Sequence, residues 1–160
     1  MALDRAKEHL EKYGMEDRIQ LFDVSSATVE LAAKALGCKP ERIAKTLSFN
    51  VNDKAVLIVA AGDAKINNSK YKAFFSCKAT MLPFDEVEAK IGHGVGGVCP
   101  FGINEGIDVY LDESLKRFDF VYPACGTPNS AIKLSIEELE KVSLFKGWID
   151  VCKIPQEEAK

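Results

Sequence analysis

The sequence predicts an α+β fold: one domain in which helices surround a mixed, mostly antiparallel sheet that is curved or closed into a partial barrel. Strand-like segments occur both in direct succession, as in a hairpin, and between helices with recognisable caps. The chain has 160 residues, which is enough for one hydrophobic core and too few for a second. We therefore expect a single domain over residues 1–152 and a charged C-terminal tail over residues 153–160.

Five helices are predicted from apolar residues that recur every three or four positions, each bounded by a polar cap or a glycine. The first two are a charged amphipathic helix over residues 1–13, closed by Gly14, and a helix that Ser25 or Ser26 can cap and Gly37 ends. The other three are a helix from Asn67 or Asn68 to residue 75, one that Asp85 and Glu88 cap and Gly92 ends, and one opened by the capping pair Ser135 and Glu138.

Strands are predicted where apolar residues alternate with a period of two or form short continuous runs. The candidates are residues 19–24, 43–51, 54–61, 107–111, 118–122, 131–134 and 148–152. Asn52 and Asp53 tolerate positive φ, so a tight hairpin should join the second strand to the third. The run over residues 55–61 is continuously apolar, which indicates a central strand buried on both faces.

Lys45 lies on the apolar row of its strand. Ile43, Leu47 and Phe49 share its parity, whereas Thr46 belongs to the other row. A lysine on a core-facing row loses hydration and must find a partner or line a cavity. Three arrangements are open from the pattern: the side chain extends past the end of the sheet, pairs with a buried carboxylate, or lines a pocket.

Residues 92–102, with the sequence GHGVGGVCPFG, form a glycine-dense segment. Gly92, Gly94 and Gly97 match G-x-G-x-x-G, but a dinucleotide site needs a strand before the motif and a helix after it. Here a helix precedes the motif and Pro100 follows it. Apolar residues within the segment should pin it to the core, so its N–H groups could bind a carbonyl or phosphate oxygen. An ordinary flexible loop also fits the pattern.

The residues offer no convincing nucleophile or metal site. Cys99 has His93 six positions away, but no third orienting group is recognisable, and a buried structural cysteine is the simpler interpretation. Five scattered cysteines without a Cys-x-x-Cys pair, together with two distant histidines, favour reduced thiols over a disulfide framework or structural zinc. We expect no cofactor and no metal ion.

Composition places few constraints on the partner. The net charge is −3, with 47% hydrophobic and 28% charged residues, so contact with nucleic acid would need a local basic patch. The sequence contains neither a signal-peptide-like apolar run nor an apolar stretch of about 18 residues that could span a bilayer. A cytoplasmic protein with no membrane partner is the expected class.

Four segments carry a resemblance to a known family. Residues 28–37 (TVELAAKALG) form an early helix, residues 43–47 (IAKTL) a lysine-bearing strand, and residues 95–102 (VGGVCPFG) a G-G-x-x-P-x-G loop. Residues 126–139 supply a terminal glycine turn, strand and helix. In order and spacing these segments resemble the YbaK/ProX family of aminoacyl-tRNA deacylases, relatives of the editing domain of bacterial prolyl-tRNA synthetases.

The resemblance implies an enzyme for translation fidelity. It would hydrolyse the ester between a wrong amino acid and the 3′-terminal adenosine of a tRNA, such as tRNA(Pro). Lys45 would hold the terminal phosphate or ribose region, and the amides of Gly96 and Gly97 would polarise the ester carbonyl. No protein nucleophile is implied, because a positioned water or a group of the substrate attacks. The expected partner is the acceptor end of an aminoacylated tRNA, and a synthetase is a further candidate.

The remaining expected substrate-binding residues come from the matched segments and their neighbours: Phe22, Val29, Thr46, Pro100, Gly126 and Asn129. After Gly126 the chain departs from the family, whose members commonly carry another glycine and charged residues there. Asn129 can adopt a left-handed conformation as glycine does. The departure leaves the amino acid open between cysteine, alanine and other small residues.

Two other classes of function remain open from the sequence. One is a non-catalytic module that binds aminoacyl ends or a synthetase, because such a module would share every motif. The other is a thiol enzyme built on Cys99.

Overall fold

The structure is a computed structural model that describes residues 2–23, 28–94 and 96–154. Its helices are α1 (Ala2–Glu11), α2 (Val29–Leu36), α3 (Asn68–Phe75), α4 (Val87–Ile91) and α5 (Ile136–Ser143). Its strands are β1 (Gln20–Leu21), β2 (Ile43–Val51), β3 (Lys54–Ala61), β4 (Lys65–Ile66), β5 (Asp108–Asp112), β6 (Phe120–Pro123), β7 (Ser130–Ala131), β8 (Leu134–Ser135), β9 (Gly147–Ile149) and β10 (Cys152–Lys153). None of the described helices is long and apolar enough to cross a membrane.

A six-stranded mixed sheet with the order β8-β6-β2-β3-β5-β9 forms the centre of the molecule. β2 and β3 form a long antiparallel hairpin, β6 and β5 add in parallel on either side of it, and β9 and β8 are the edges. Two antiparallel pairs, β1 with β7 and β10 with β4, lie outside this sheet. Four of the seven strand pairs in the described chain are thus antiparallel. The sheet curls into a half-barrel, so the predicted fold class is confirmed.

The elements that depend on local interactions form as predicted. β2 and β3 have the predicted bounds, and Asn52 and Asp53 join them with φ values of 51° and 66°. The Asn67 side chain accepts a hydrogen bond from the Lys70 N–H and caps α3. At α5 the Ser135 hydroxyl accepts the Glu138 N–H while the Glu138 carboxylate accepts the Ser135 N–H.

The predicted N-terminal cap of α2, by Ser25 or Ser26, and that of α4, by Asp85 and Glu88, are both wrong. The Thr28 side chain caps α2 by accepting a hydrogen bond from the Leu31 N–H, and Ser25 and Ser26 lie outside the described residues. A short 3-10 helix (Phe84–Glu86) precedes α4, which has no side-chain cap.

Three predicted strands are divided or much shorter than expected. The strand expected over residues 131–134 is divided, because β7 pairs with β1 whereas β8 pairs with β6. β1 has two residues rather than the expected six. The strand expected over residues 148–152 is also divided, because β9 ends at Ile149 whereas β10 begins at Cys152 and pairs with β4. Residues 155–160 of the expected tail lie outside the described residues.

The apolar interior has two parts that meet at β2. The main cluster contains β3, and a small second cluster lies beneath α2. Ile43 packs in the small cluster, whereas Phe49, on the same row of β2, packs in the main one. Lys45 lies between these two residues on that row. Because the sheet curls, the side chains on this row of β2 are shared between the two apolar clusters. A polar side chain can therefore lie between the clusters.

Candidate functional site

One edge of β2 is only partly paired. β6 pairs with its first two residues, and farther along the Ser48 carbonyl accepts a hydrogen bond from the Leu82 N–H at 3.1 Å. Successive residues of an antiparallel strand send their main-chain groups to opposite edges. Thr46, two residues before Ser48, therefore directs its main-chain groups to the gap between these two pairings.

A cavity of about 420 Å³ occupies this gap. That volume lies within the range of small-molecule sites, about 300–1,000 Å³. Its walls come from α2, β2, residues 81–87, the glycine segment and the β6–β7 region. Apolar side chains dominate the wall, including Val29, Ala32, Leu36, Ile43, Leu82 and Val87. Among the described lining residues Lys45 is the one charged side chain.

The half-buried Lys45 lines this cavity. Its Nζ donates hydrogen bonds to the carbonyl oxygens of Gly62, at 3.4 Å, and Ala64, in the turn after β3. Burial lowers the pKa of the Lys45 ammonium, and the nearby Asp63 carboxylate opposes this shift. An ammonium has three N–H donors. Because these two carbonyls are its hydrogen-bond acceptors in the described chain, one donor is left for an oxygen of a bound molecule. Of the three arrangements open from the sequence, the structure has the lysine in a pocket.

The Thr46 hydroxyl differs from the Ser130 hydroxyl, which also lines the wall. Its oxygen is buried and has no hydrogen-bond partner among the described residues. The Ser130 hydroxyl, by contrast, donates to the Thr127 carbonyl at 3.1 Å and accepts from the Cys125 N–H at 3.3 Å. A buried polar group without a partner costs about 1–3 kcal/mol. Thr46 therefore has hydrogen-bonding capacity that a ligand in the cavity could use.

The glycine segment is pinned to the core. Cys99 and Phe101 are fully buried, and Gly96 and Val98 line the cavity. Gly96 has a φ of 94°, a conformation that few residues other than glycine adopt. The expected pinning by Cys99 and Phe101 is present, whereas Val95 lies outside the described residues.

Gly97 has a packing role that differs from the expected one. Its N–H donates to the Gly94 carbonyl at 3.0 Å, within the loop. A Cβ on Gly97 would lie 2.5 Å from both the carbonyl carbon and the oxygen of Gly126. The glycine therefore lets the loop contact the turn at Gly126. Its amide is occupied by that loop bond, whereas the glycine-segment residues that line the cavity in the described chain are Gly96 and Val98.

The Cys99 thiol is in an environment that suppresses its reactivity. Burial raises the pKa of Cys99 to about 12. His93 Nε2 lies 2.6 Å from the Phe101 carbonyl oxygen and 3.6 Å from Cys99 Sγ. Because a carbonyl only accepts, Nε2 must carry the proton of a neutral His93 and cannot accept the thiol proton. The arrangement argues against a thiol nucleophile.

The predicted site residues fall into two groups. Val29, Lys45, Thr46 and Gly96 line the cavity. The others, Phe22, Gly97, Pro100, Gly126 and Asn129, lie outside its lining among the described residues.

Phe22 and Asn129 are partners of each other. The Phe22 N–H donates to the Asn129 carbonyl at 2.8 Å, next to β1 and β7. The Asn129 side chain is exposed. The backbone φ of Asn129 is not in the left-handed region, so the expectation that this residue adopts a glycine-like conformation is wrong. Gly126 itself has a φ of 93°. Pro100 is buried beside Cys99.

Sequence reasoning missed several wall residues. Some come from segments without a motif, whereas Ser130 lies within the matched residues 126–139 but was not singled out. Tyr122 and Ser130 reach the cavity from β6 and β7, and Leu82 reaches it from the segment before α4. The run Met81-Leu82-Pro83-Phe84 offered a signal, since large apolar residues in a connecting segment often line a binding surface. Among the described residues, no three His, Cys, Asp or Glu side chains come together as a metal ion would require.

Comparison with known proteins connects this geometry to a family. Residues 24–142 match the family model of the aminoacyl-tRNA editing domain. The chain is 51% identical over 154 residues to the uncharacterized protein YwhH of Bacillus subtilis. The aligned region covers 96% of this chain and 98% of YwhH. It is 28% identical over 124 residues to a proline--tRNA ligase of Bacillus cytotoxicus, covering 77% of this chain and 20% of the ligase.

A solved structure supports the same relationship. The crystal structure of a proposed trans-editing enzyme for prolyl tRNA synthetase matches with a TM-score of 0.85 and 26% identity, over 95% of this chain and 97% of that one. The family match includes the lysine strand, the glycine segment and most of the cavity wall. The chain therefore belongs to the aminoacyl-tRNA editing domain family.

Proposed function

We propose that this chain is a deacylase that hydrolyses mischarged aminoacyl-tRNA. The proposed substrate is a small amino acid, such as cysteine or alanine, on tRNA(Pro) or a related tRNA. The observation that carries the proposal is Lys45, a single cation in an apolar cavity whose wall includes the main chain of the glycine segment. Membership of the editing family supports ester hydrolysis as the reaction. The proposed site of action is the cytoplasm, with a synthetase as a candidate partner.

The proposed reaction needs positioning more than covalent chemistry. The oxygen of a bound water attacks the ester carbonyl carbon, the bond from that carbon to the ribose oxygen breaks, and the ribose oxygen takes a proton from the attacking water. Lys45 would bind an oxygen of the ribose or terminal phosphate with its remaining N–H. Amides at Gly96 and Val98 would stabilise the charge on the carbonyl oxygen, at about 2.7–4 kcal/mol for a well-placed donor.

The wall supports selection by size. Val29, Ala32, Leu36 and Ile43 present apolar surface to the cavity, where Lys45 is the one charged side chain among the described lining residues. Such walls discriminate by about 1–3 kcal/mol for each methylene. We therefore expect small aminoacyl groups to react faster than large ones.

The test is a panel of tRNA(Pro) molecules charged with cysteine, alanine, serine or proline, followed under single-turnover conditions. The wild-type protein should hydrolyse at least one small aminoacyl ester, and Lys45→Met should lower its rate by about a hundredfold, as loss of one electrostatic contact to the transition state does. Lys54→Met is the matched control, because Lys54 lies on β3 and pairs at the surface with Asp108.

The outcomes separate the alternatives. A fully active Lys45→Met protein would exclude the proposed site. Binding of a charged tRNA without turnover would assign the non-catalytic binding function instead.

A further inference from the structure

A basic–aromatic strip, formed by Arg42, Phe118, Phe120 and Lys133, lies on the surface outside the cavity. The Arg42 guanidinium carbon is 4.1 Å from the centroid of the Phe120 ring and 5.3 Å from that of Phe118. Lys133 Nζ is also 4.1 Å from the Phe120 centroid. Aromatic rings attract cations held over them at such distances. A third cation, Arg117, lies 4.7 Å from the Phe118 centroid and is paired with Asp63. The Phe120 ring therefore holds two positive charges, Arg42 and Lys133, close together at this edge of the sheet.

The strip adjoins the cavity through β6. Phe120 and Tyr122 lie two residues apart on one face of this strand, with ring centroids 5.8 Å apart. Tyr122 lines the cavity. Phe120 and Lys133 line a separate surface groove together with Arg18, Gln20, Asp119, Ser135 and Glu138. A chain that leaves the cavity past Tyr122 would therefore enter this groove.

Two carboxylates, Asp119 and Glu138, also line the groove, and Glu138 pairs with Arg18 at 2.6 Å. Asp119 pairs with Arg42 at 2.8 Å, and its side chain is 77% exposed. Such exposed ion pairs contribute little to stability and are screened by salt, so a phosphate can compete for the arginine. Lys133 is exposed and forms no ion pair within the described part of the chain. Because the net charge of the chain is −3, local cations are required for contact with a polyanion.

We propose that this strip binds the phosphate backbone of the RNA strand that carries the aminoacyl ester, with Lys133 and Arg42 as the contacting cations. The inference rests on the proposed function, because it takes the occupant of the adjoining cavity to be the end of that strand. Surfaces that combine cations with aromatic rings are typical of proteins that bind single-stranded nucleic acid. The unpaired end of a tRNA is a single strand of this kind.

The first experiment measures binding of an uncharged acceptor-stem minihelix with a single-stranded end by fluorescence anisotropy over a series of salt concentrations. Lys133→Gln should weaken binding by about threefold to tenfold and reduce the slope of log K against log salt by about one, as loss of one phosphate contact does. Lys116→Gln is the matched control. Lys116 is also exposed, and its Nζ lies 4.6 Å from the centroid of an aromatic ring. That ring belongs to Trp148 on β9, at the opposite edge of the sheet.

The second experiment compares two charged substrates. At subsaturating concentration, Lys133→Gln should slow hydrolysis of the aminoacyl-tRNA by the same factor as it weakens minihelix binding. It should slow hydrolysis of a 3′-aminoacyl adenosine ester much less, because that ester has no phosphate to contact. Lys45→Met should slow hydrolysis of the aminoacyl-tRNA, and an equal loss on the adenosine ester would assign its contact to the ribose rather than the phosphate.

The two proposals can fail separately. If the wild-type protein hydrolyses neither substrate but binds the minihelix through Lys133, the hydrolytic function is wrong and the strip stands. If the minihelix does not bind, or Lys133→Gln and Lys116→Gln bind it equally well with equal salt slopes, the RNA-binding strip is wrong whatever the hydrolysis assay gives.

Discussion

A Cβ atom on Gly97 would lie 2.5 Å from the carbonyl oxygen of Gly126. The two glycines belong to segments that are separate in the sequence, the glycine loop and the turn between β6 and β7. Their close approach brings Gly96, next to Gly97, and Ala124, two residues before Gly126, into the wall of one cavity. A contact between two backbones thus sets the width of the site.

Gly97→Ala should therefore impair both stability and activity. Overpacking costs about 1–3 kcal/mol of the free energy of unfolding, and a shift of about 1 Å in the wall can slow hydrolysis by about a hundredfold. Gly94→Ala is the control within the same loop, because its Cβ would meet only the Glu88 carboxyl group, at 3.9 Å. Urea unfolding and single-turnover hydrolysis measure the two effects. Equal behaviour of the two variants would contradict the packing role.

The Thr46 hydroxyl should act on the substrate and not on the fold. Thr46→Val keeps the shape of the side chain and removes a buried oxygen that has no partner among the described residues. Its free energy of unfolding should be unchanged or higher, whereas hydrolysis should slow by about tenfold to a hundredfold, equivalent to 1–3 kcal/mol for a lost hydrogen bond. Thr46→Ser should retain most activity. A Thr46→Val protein with the wild-type rate would show that the substrate does not use this hydroxyl.

Cys99 should have a packing role alone. Its thiol is fully buried with a pKa raised to about 12, so it does not form a thiolate near neutral pH. Cys99→Ala should lower the free energy of unfolding by about 1–2 kcal/mol through the lost packing while leaving the single-turnover rate within about twofold. Loss of hydrolysis in a folded Cys99→Ala protein would restore the thiol mechanism.

Stability should fall as the pH drops below about 6.5. Burial lowers the pKa of His93 from its ordinary value of 6.5, and its bond to the Phe101 carbonyl opposes the shift. Burial also lowers the pKa of His9, whose Nδ1 accepts a hydrogen bond from the Gly102 N–H. With a folded-state pKa below the unfolded one, the unfolded chain binds protons first as the pH falls. The stabilisation from keeping the two histidines neutral is therefore complete above their pKa in the unfolded chain and is lost as the pH falls below that value.

Urea unfolding at about pH 7.5 and about pH 5.5 measures this loss, which can reach about 1.4 kcal/mol per pH unit for the fully buried His93. The His93→Gln variant should show a weaker pH dependence. A free energy of unfolding that is the same at both pH values would contradict the neutral state of the two histidines.

The sequence by itself determined the parts of this protein that depend on neighbouring residues. The hairpin at Asn52 and Asp53 forms because both residues accept positive φ. The capping pair of Ser135 and Glu138 forms because the two side chains are three residues apart. Lys45 could be singled out because one polar residue on an apolar row is visible in the period of a strand.

Only the tertiary structure decided what surrounds Lys45. The pattern does not show that the row of β2 is divided between two apolar clusters, or that the turn after β3 supplies carbonyl partners for the ammonium. The pattern also does not place Tyr122 and Ser130 in the wall of the cavity. Tyr122 is brought there by the pairing of β6 with β2, and Ser130 by the pairing of β7 with β1, and both pairings join distant parts of the chain. Those pairings depend on the burial of whole surfaces, whereas caps and turns depend on bonds within a few residues. For this reason the unusual position of Lys45 on its strand was foreseeable and the shape of its cavity was not.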